Sequence, residues 1–301
     1  MSHTKSYVLL TLCCLFWSGN YIAGNVLVAY MPPAWMTFWR WFLAMFLLFP
    51  LSCAVEKPVW RDVLSQWKIL ALSSFLGLTA YNLTLYSALS YTSPLNATLI
   101  STLAPSALAA ASVAILKERV LKRQAAGFVL SLLGVFVVLS KGDFAVFLAL
   151  EFNRGDVLML LAVVIWITYT IIVKLINAPP LAVAASASLA SSAMTAPLAF
   201  YQGIDPAWLN FKSAAIILFI VVFPSVCSYV FWIIGVRGVG AAKAGVFMNL
   251  MPVFAALFSL LSGGGIQVSQ VAGGLTVFLG VCLTAGTFNF GARPLEGRAP
   301  K

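Results

Sequence analysis

Ten apolar stretches, most of them close to twenty residues long and following one another along the chain, constrain it more than any other feature. A helix needs about 20 mostly apolar residues to cross the hydrocarbon core. Inside that core only helices and closed barrels satisfy their own backbone polar groups. The stretches lie at about residues 7–30, 34–54, 68–89, 94–116, 124–140, 156–176, 180–201, 212–236, 242–262 and 268–290. Between them stand Met31-Pro32-Pro33, Ser93-Pro94, Pro179-Pro180 and Gly263-Gly264-Gly265, all of them turn chemistry. Only 9% of the 301 residues are charged, against about 25% in a typical soluble domain, so a water-facing surface cannot be covered. The stretch from Tyr7 to Tyr30 is longer than a signal-peptide core and ends without a small-residue cleavage site, so it reads as a retained span. The expected fold is an all-α integral membrane protein of ten transmembrane helices.

The basic residues fix an orientation. With the N-terminus inside, the outer loops hold only Lys141, Arg154 and Lys212, and Arg40 falls within the second span. The remaining basic residues, fourteen of the 18, sit in the inner segments and the tail. That bias predicts both termini in the cytoplasm. The formal charge of +10 is then a matter of topology, and no nucleic-acid partner is implied.

The halves also repeat. Pro105 is followed after 19 residues by Gln124-x-x-Gly127-x6-Gly134-Val135, and Pro252 after 18 by Gln270-x-x-Gly273-x6-Gly280-Val281. Phe16-Trp17 in the first span matches Ile165-Trp166 in the sixth. Five spans per copy is an odd number, so the second copy enters from the opposite side. Inverted repeats place substrate near the midplane, between the copies. The expected organisation is a first five-helix repeat at 1–140, a periplasmic linker at 141–155, a second, inverted repeat at 156–290 and a cytoplasmic tail at 291–301.

Candidate site residues are the polar and aromatic groups at mid-membrane depth. Trp17, Asn20, Tyr21 and Gly24 share one face of the first span; Trp166, Tyr169 and Thr170 share one face of the sixth. Such faces can stack an aromatic or apolar substrate and bond its polar end. The plain alternative is helix packing or an interfacial aromatic belt. Tyr81, Asn82 and Tyr86 in the third span, and Tyr229 and Trp232 in the eighth, are placed beside them. Asn96 and Asn249 lie on the proline-bearing spans; Asn249 can bond carbonyls freed by Pro252 or face substrate. Pro105 and Pro252 permit bends and are read as paired gating elements. Arg40 can attract a carboxylate, or it can act structurally by snorkelling outward or anchoring the turn of the first span, and the structural role is favoured. Lys174 and Lys243 set orientation or draw anions to the inner mouth.

No predicted span carries Asp or Glu at its middle. Coupled export of cationic drugs generally needs such a buried carboxylate, so a neutral or zwitterionic substrate moving down its own gradient is favoured. Phosphate-bearing substrates would want several basic residues in the path. His3 is the one histidine, the five cysteines have no metal-ligand spacing, and neither HExxH nor GxSxG occurs. An enzyme, a metal site and a cofactor are therefore not expected.

Phe16-Trp17-Ser18-Gly19-Asn20, Arg40, the stretch from Pro105 to Lys117-Glu118 and Gln124-x-x-Gly127 together resemble drug/metabolite transporters of the EamA type, over nearly the whole chain. Within that family the chain is most similar to the YddG-like bacterial exporters of aromatic amino acids. The resemblance implies a bacterial inner-membrane carrier exporting aromatic or large neutral amino acids by alternating access. Carriage of drugs, sugars or nucleotide-linked metabolites is the alternative. The partners implied are a small-molecule substrate and membrane lipid, and one chain suffices for a cavity. The family pattern often has a Glu after the proline-bearing span in both halves; here the second copy has Gly264 or Gly265, read as a loop-end feature.

Overall fold

A computed structural model describes residues 3–92, 97, 100–118, 120–140, 143, 145, 153–205, 208, 210–261 and 268–285. Among the described residues there are helices and no strand. In chain order the helices are α1 (His3–Leu27), α2 (Pro33–Val55), the short α3 (Trp60–Ser65), α4 (Trp67–Leu89), α5 (Leu103–Leu116) and α6 (Lys122–Ser140). Then follow α7 (Arg154–Leu175), α8 (Pro180–Tyr201), α9 (Phe211–Val239), α10 (Ala241–Phe247), α11 (Leu250–Leu261) and α12 (Val268–Ala285). Among the described residues eight units are long and apolar enough to cross a membrane: α1, α2, α4, α6, α7, α8, α9 and the stretch Ala241–Phe258. Two shorter apolar helices, Leu103–Leu116 and Val271–Ala285, accompany them.

The boundaries depart from expectation where backbone chemistry intervenes. α1 gives way to a turn at Val28–Tyr30, ahead of Pro32 and Pro33, because a residue before proline is pushed out of the α region. Pro33 then opens α2, where its missing N–H costs nothing. The expected span at 94–116 has a turn at Thr102, and that at 242–262 has one at Met248 and Asn249. Pro105 and Pro252 follow these breaks as third residues of α5 and α11. They therefore lie in first turns rather than mid-helix, and each marks a discontinuity rather than a bend.

α4 and α9 carry a second irregularity. Ser74–Ala80 and Val221–Cys227 are π-helical, so the α-ladder slips by a residue in mid-span. Pro224, which has no N–H to give, sits inside the second stretch.

α6 and α12 form the most extensive helix pair. They run antiparallel, Gly127 against Gly280 and Gly134 against Gly273. A Cβ on Gly134 would stand 2.7 Å from Gly273 O and 2.6 Å from Val277 N; one on Gly280 would stand 2.7 Å from Gly127 O and 2.5 Å from Ser131 N. Glycine is needed here because backbone meets backbone, the contact small residues permit between helices in lipid. The glycine motif that recurs in the sequence thus forms this seam.

Candidate functional site

Several of the described buried polar groups, Asn20, Asn82, Tyr86 and Ser225, converge where α1, α2, α4 and α9 meet, and Arg40 is their hub. Its side chain is 2% exposed, so it does not snorkel. Nε donates to Ser225 Oγ at 2.7 Å. Nη1 donates to Asn82 Oδ1 at 2.8 Å, Tyr86 Oη at 2.9 Å and Asn20 Oδ1 at 3.3 Å. Nη2 donates to the carbonyl of Pro224 at 3.3 Å. The guanidinium carbon stands 4.9 Å from the Trp41 ring and 5.6 Å from that of Tyr229.

The π stretches supply much of this chemistry, since their carbonyls accept from side chains of other helices. Tyr229 Oη donates to Gly77 O at 2.8 Å, Trp41 Nε1 to Leu78 O at 2.9 Å and Trp17 Nε1 to Pro224 O at 3.1 Å. Gly77 has to be glycine, because a Cβ would lie 2.2 Å from the Tyr169 ring.

Around the hub the aromatic rings meet edge to face or tilted. Trp17 lies 4.9 Å from Trp166, 5.4 Å from Trp232 and 5.8 Å from Tyr229; Trp166 lies 4.9 Å from Tyr81 and 5.2 Å from Tyr169. Pairs of this kind contribute about 0.5–1.5 kcal/mol each beyond the area they bury. Trp17 and Trp166 are buried, which removes the interfacial-belt alternative for both.

Three adjoining cavities touch this cluster. One is bounded by Trp17, Asn20, Tyr21, Arg40, Trp166 and Tyr229, among others; the second by Tyr81, Ser101, Met159 and Trp166; the third by Ser18, Ser101, Met251 and Pro252. Tyr21 and Met248 border all three. Each leaves only about 10 to 20 Å³ in which the centre of a water can move, close to one water's worth. As the helices stand, the cluster leaves no room for anything much larger than a water. A larger open groove of about 490 Å³, bounded by Trp35, Phe38, Leu189 and Phe200, offers Ser192 as its one polar side chain.

The predicted residues sort by depth. Trp17, Asn20, Tyr21, Tyr81, Trp166 and Tyr229 border the cavities, and Pro252 borders the third. Asn82 and Tyr86 stand behind them as acceptors for Arg40. Tyr169 and Trp232 back the Trp166 ring, and Thr170 is buried nearby in sequence with no partner for its hydroxyl. Asn249 donates from Nδ2 to Ser131 Oγ of α6 at 2.8 Å. Pro105 packs beside Gly245 of α10. Asn96 lies outside the described residues. Sequence reasoning missed Ser225, Ser101, Met248 and Met251, whose only signal is closeness to a π stretch or a helix break.

One end of the bundle is tied by carboxylates on helix N-termini. Glu56 accepts from the amides of Leu181 and Ala182, both at 2.9 Å, at the start of α8. Glu118 accepts from Ala241 and Ala242, both at 3.1 Å, at the start of α10, and forms an ion pair with Lys174. Carboxylates suit such ends because they answer orphan N–H groups and the positive end of the helix dipole. Arg237 adds bonds to Ile176 O at 2.8 Å and Ala178 O at 2.5 Å. Lys57 and Lys117, the positive-φ non-glycine residues (φ 46° and 56°), each adjoin one of these glutamates. Glu118 is therefore more than a loop-end feature, and Lys174 serves it rather than an open mouth.

Burial alone would raise the Glu118 carboxyl. The bonds from Lys174, Ala242 and Ala241 outweigh burial and hold it below its ordinary value. A depressed carboxyl stabilises the folded state above the ordinary glutamate pKa of about 4.3, and that contribution is lost as pH falls through the folded value. Glu118→Gln is expected to cost on the order of 1–2 kcal/mol at neutral pH, a drop of about 2–8 °C in melting temperature. The gap between the two proteins should close on acidification below that range; thermal melts across pH measure it, and a gap that does not change with pH would refute the charge-based latch.

Comparison with known proteins bears on what such an arrangement does. The sequence model of the EamA-like transporter family matches residues 4–140 and again 153–286. The chain is 26% identical over 293 residues to the uncharacterized transporter YyaM of Bacillus subtilis (strain 168), covering 95% of each. It is 27% identical over 291 residues to an uncharacterized transporter of Archaeoglobus fulgidus, covering 94% of this chain and 98% of the relative. A crystal structure 20% identical in sequence superposes with a TM-score of 0.77 over 94% of this chain and 98% of its own, a likeness of fold.

Proposed function

Because the chain belongs to the EamA-like transporter family, we propose that it is a secondary carrier of small metabolites, most specifically of aromatic or large neutral amino acids. It is an integral membrane protein, and its relatives are transporters. The observation that carries the narrower reading is the closed cluster of Trp17, Tyr81, Trp166 and Tyr229 around polar groups, with no described carboxylate on the cavities.

The proposed architecture is ten spans, with α5 and α12 as the two shorter ones, both termini in the cytoplasm of a bacterial cell and the inner membrane as location. Two inverted five-helix repeats are supported by three features. The family model fits the chain twice. The glycines of the seam pair crosswise. The π stretches and the breaks before Pro105 and Pro252 recur at matching places in the two halves. Alternating access then consists of rocking one repeat on the other, the broken helices moving with it. The tied end opens in that motion, and a single chain suffices.

The test is uptake of labelled phenylalanine, with threonine and methionine beside it, into liposomes holding the purified protein, with and without an imposed pH gradient. Saturable uptake that ignores the gradient is expected of a facilitative carrier. Uptake that follows the gradient would keep the carrier and overturn the facilitative mechanism. No uptake of any amino acid would sink the amino-acid assignment and favour carriage of drugs or sugars.

A further inference from the structure

Arg40 carries a charge that its surroundings do not answer. A guanidinium stays protonated at any accessible pH, and this one is 2% exposed. Its partners are a hydroxyl, two amide oxygens, a phenol and a backbone carbonyl, all neutral. The ion pair found among the described residues, Lys174 with Glu118, lies at the tied end of the bundle. Burying a charge without its opposite costs several kcal/mol, and the faces of Trp41 and Tyr229 offset part of that. A glutamine would serve neutral acceptors without that cost, so the positive charge itself calls for explanation. Charges kept within spans generally serve the transported solute.

Two donors are left over beside the same cavity. Nη2 of Arg40 has one acceptor, at 3.3 Å. Trp166 Nε1 has none, although the side chain is 2% exposed. Both residues border the cavity shared with Trp17, Tyr81 and Tyr229. Unused buried donors cost about 1–3 kcal/mol each, so the site as built is missing an acceptor, and preferably an anionic one. Among the described residues no second cation borders the cavity, which suits a single carboxylate better than a phosphate.

We propose that the solute carried through this site is a carboxylate bearing an aromatic or apolar group, its carboxylate accepting from Arg40 and Trp166. The inference rests on the transporter reading above and names the group the site selects. The carboxylate is what is recognised; among the described residues no acidic side chain borders the cavity to demand an ammonium group.

The experiment compares three probes that share a ring: phenylalanine, 3-phenylpropanoate, which lacks the amine, and phenethylamine, which lacks the carboxylate. Binding to the purified protein is read from tryptophan fluorescence and from the shift in melting temperature. The two carboxylates are expected to bind saturably and phenethylamine at least tenfold more weakly. Trp166→Phe, which keeps a ring and removes the N–H, should weaken both carboxylates several-fold more than it weakens phenethylamine. Arg40→Gln should abolish the preference, and the wild-type probe series decides the matter if that variant does not fold. Phenethylamine binding as tightly as 3-phenylpropanoate would overturn the proposal. Carriage of phenethylamine in liposomes without carriage of the carboxylates would overturn it too and leave the transporter standing. Failure to carry any metabolite would take down the transporter reading with it.

Discussion

Alanine in place of Trp17 or Trp166 is expected to lower the initial rate of transport at least tenfold, while the amount of folded protein falls by much less. Trp17 touches three other rings and ties the Pro224 carbonyl, and Trp166 touches Trp17, Tyr81, Tyr169 and Trp232. Removing either opens space and strips the walls from the cavity. In a soluble core such a truncation costs about 3–5 kcal/mol. Here the fold keeps anchorages that neither ring touches: the α6–α12 seam and the carboxylates on α8 and α10. The measurement is uptake rate divided by the monodisperse protein recovered from the membrane. Equal rates in both variants would remove the central cavity as the path.

The seam makes a different demand. Gly134→Leu is expected to leave little folded protein, because the side chain would have to displace the backbone of α12 at Gly273 and Val277, a backbone with no side-chain freedom to yield. Gly134→Ala is the graded form. Overpacking of this kind costs about 1–3 kcal/mol, or several degrees of melting temperature. The crosswise pairing sets a second condition: Gly273→Ala should cost about as much, since its Cβ meets Gly134 O and Val138 N at 2.8 Å. Melting curves of the two alanine variants test this, and a large effect at one position with none at the other would contradict the symmetric seam.

Much of this was legible in the sequence because lipid imposes a strict rule. A span has to be apolar for about 20 residues, so spans announce themselves, and the glycine motif gave away the seam's residues if not their pairing. Helical spacing alone groups Trp17, Asn20 and Tyr21 on one face of their span, and these residues border one cavity with Trp166. The breaks at Thr102 and Met248–Asn249, and the π stretches, were not found. A slip of one hydrogen bond changes neither composition nor apolar length, so a uniformly apolar run hides it. Arg40 was visible as a residue but not as a hub, since Asn20, Asn82, Tyr86 and Ser225 reach it from 20 to 185 positions away. Glu118 looked like loop chemistry for the same reason: its partners stand on α7 and α10.

The π stretches make this site answer to the length of the chain as well as to its letters. Each residue of an α-helix turns the next by about 100°. Losing one residue between Ser74 and Ala80 would let α4 relax to a regular helix, with every side chain still apolar and the span still long enough. Because a π turn holds one residue more than an α turn, Tyr81, Asn82 and Tyr86 would keep their face, but the carbonyls of Gly77 and Leu78 would be drawn back into the helix ladder and lost to Tyr229 and Trp41. Relatives that differ by a single-residue gap in these two places are therefore expected to hold the rings at the positions of Trp17, Trp41 and Tyr229 less firmly, even where every residue of the site is the same.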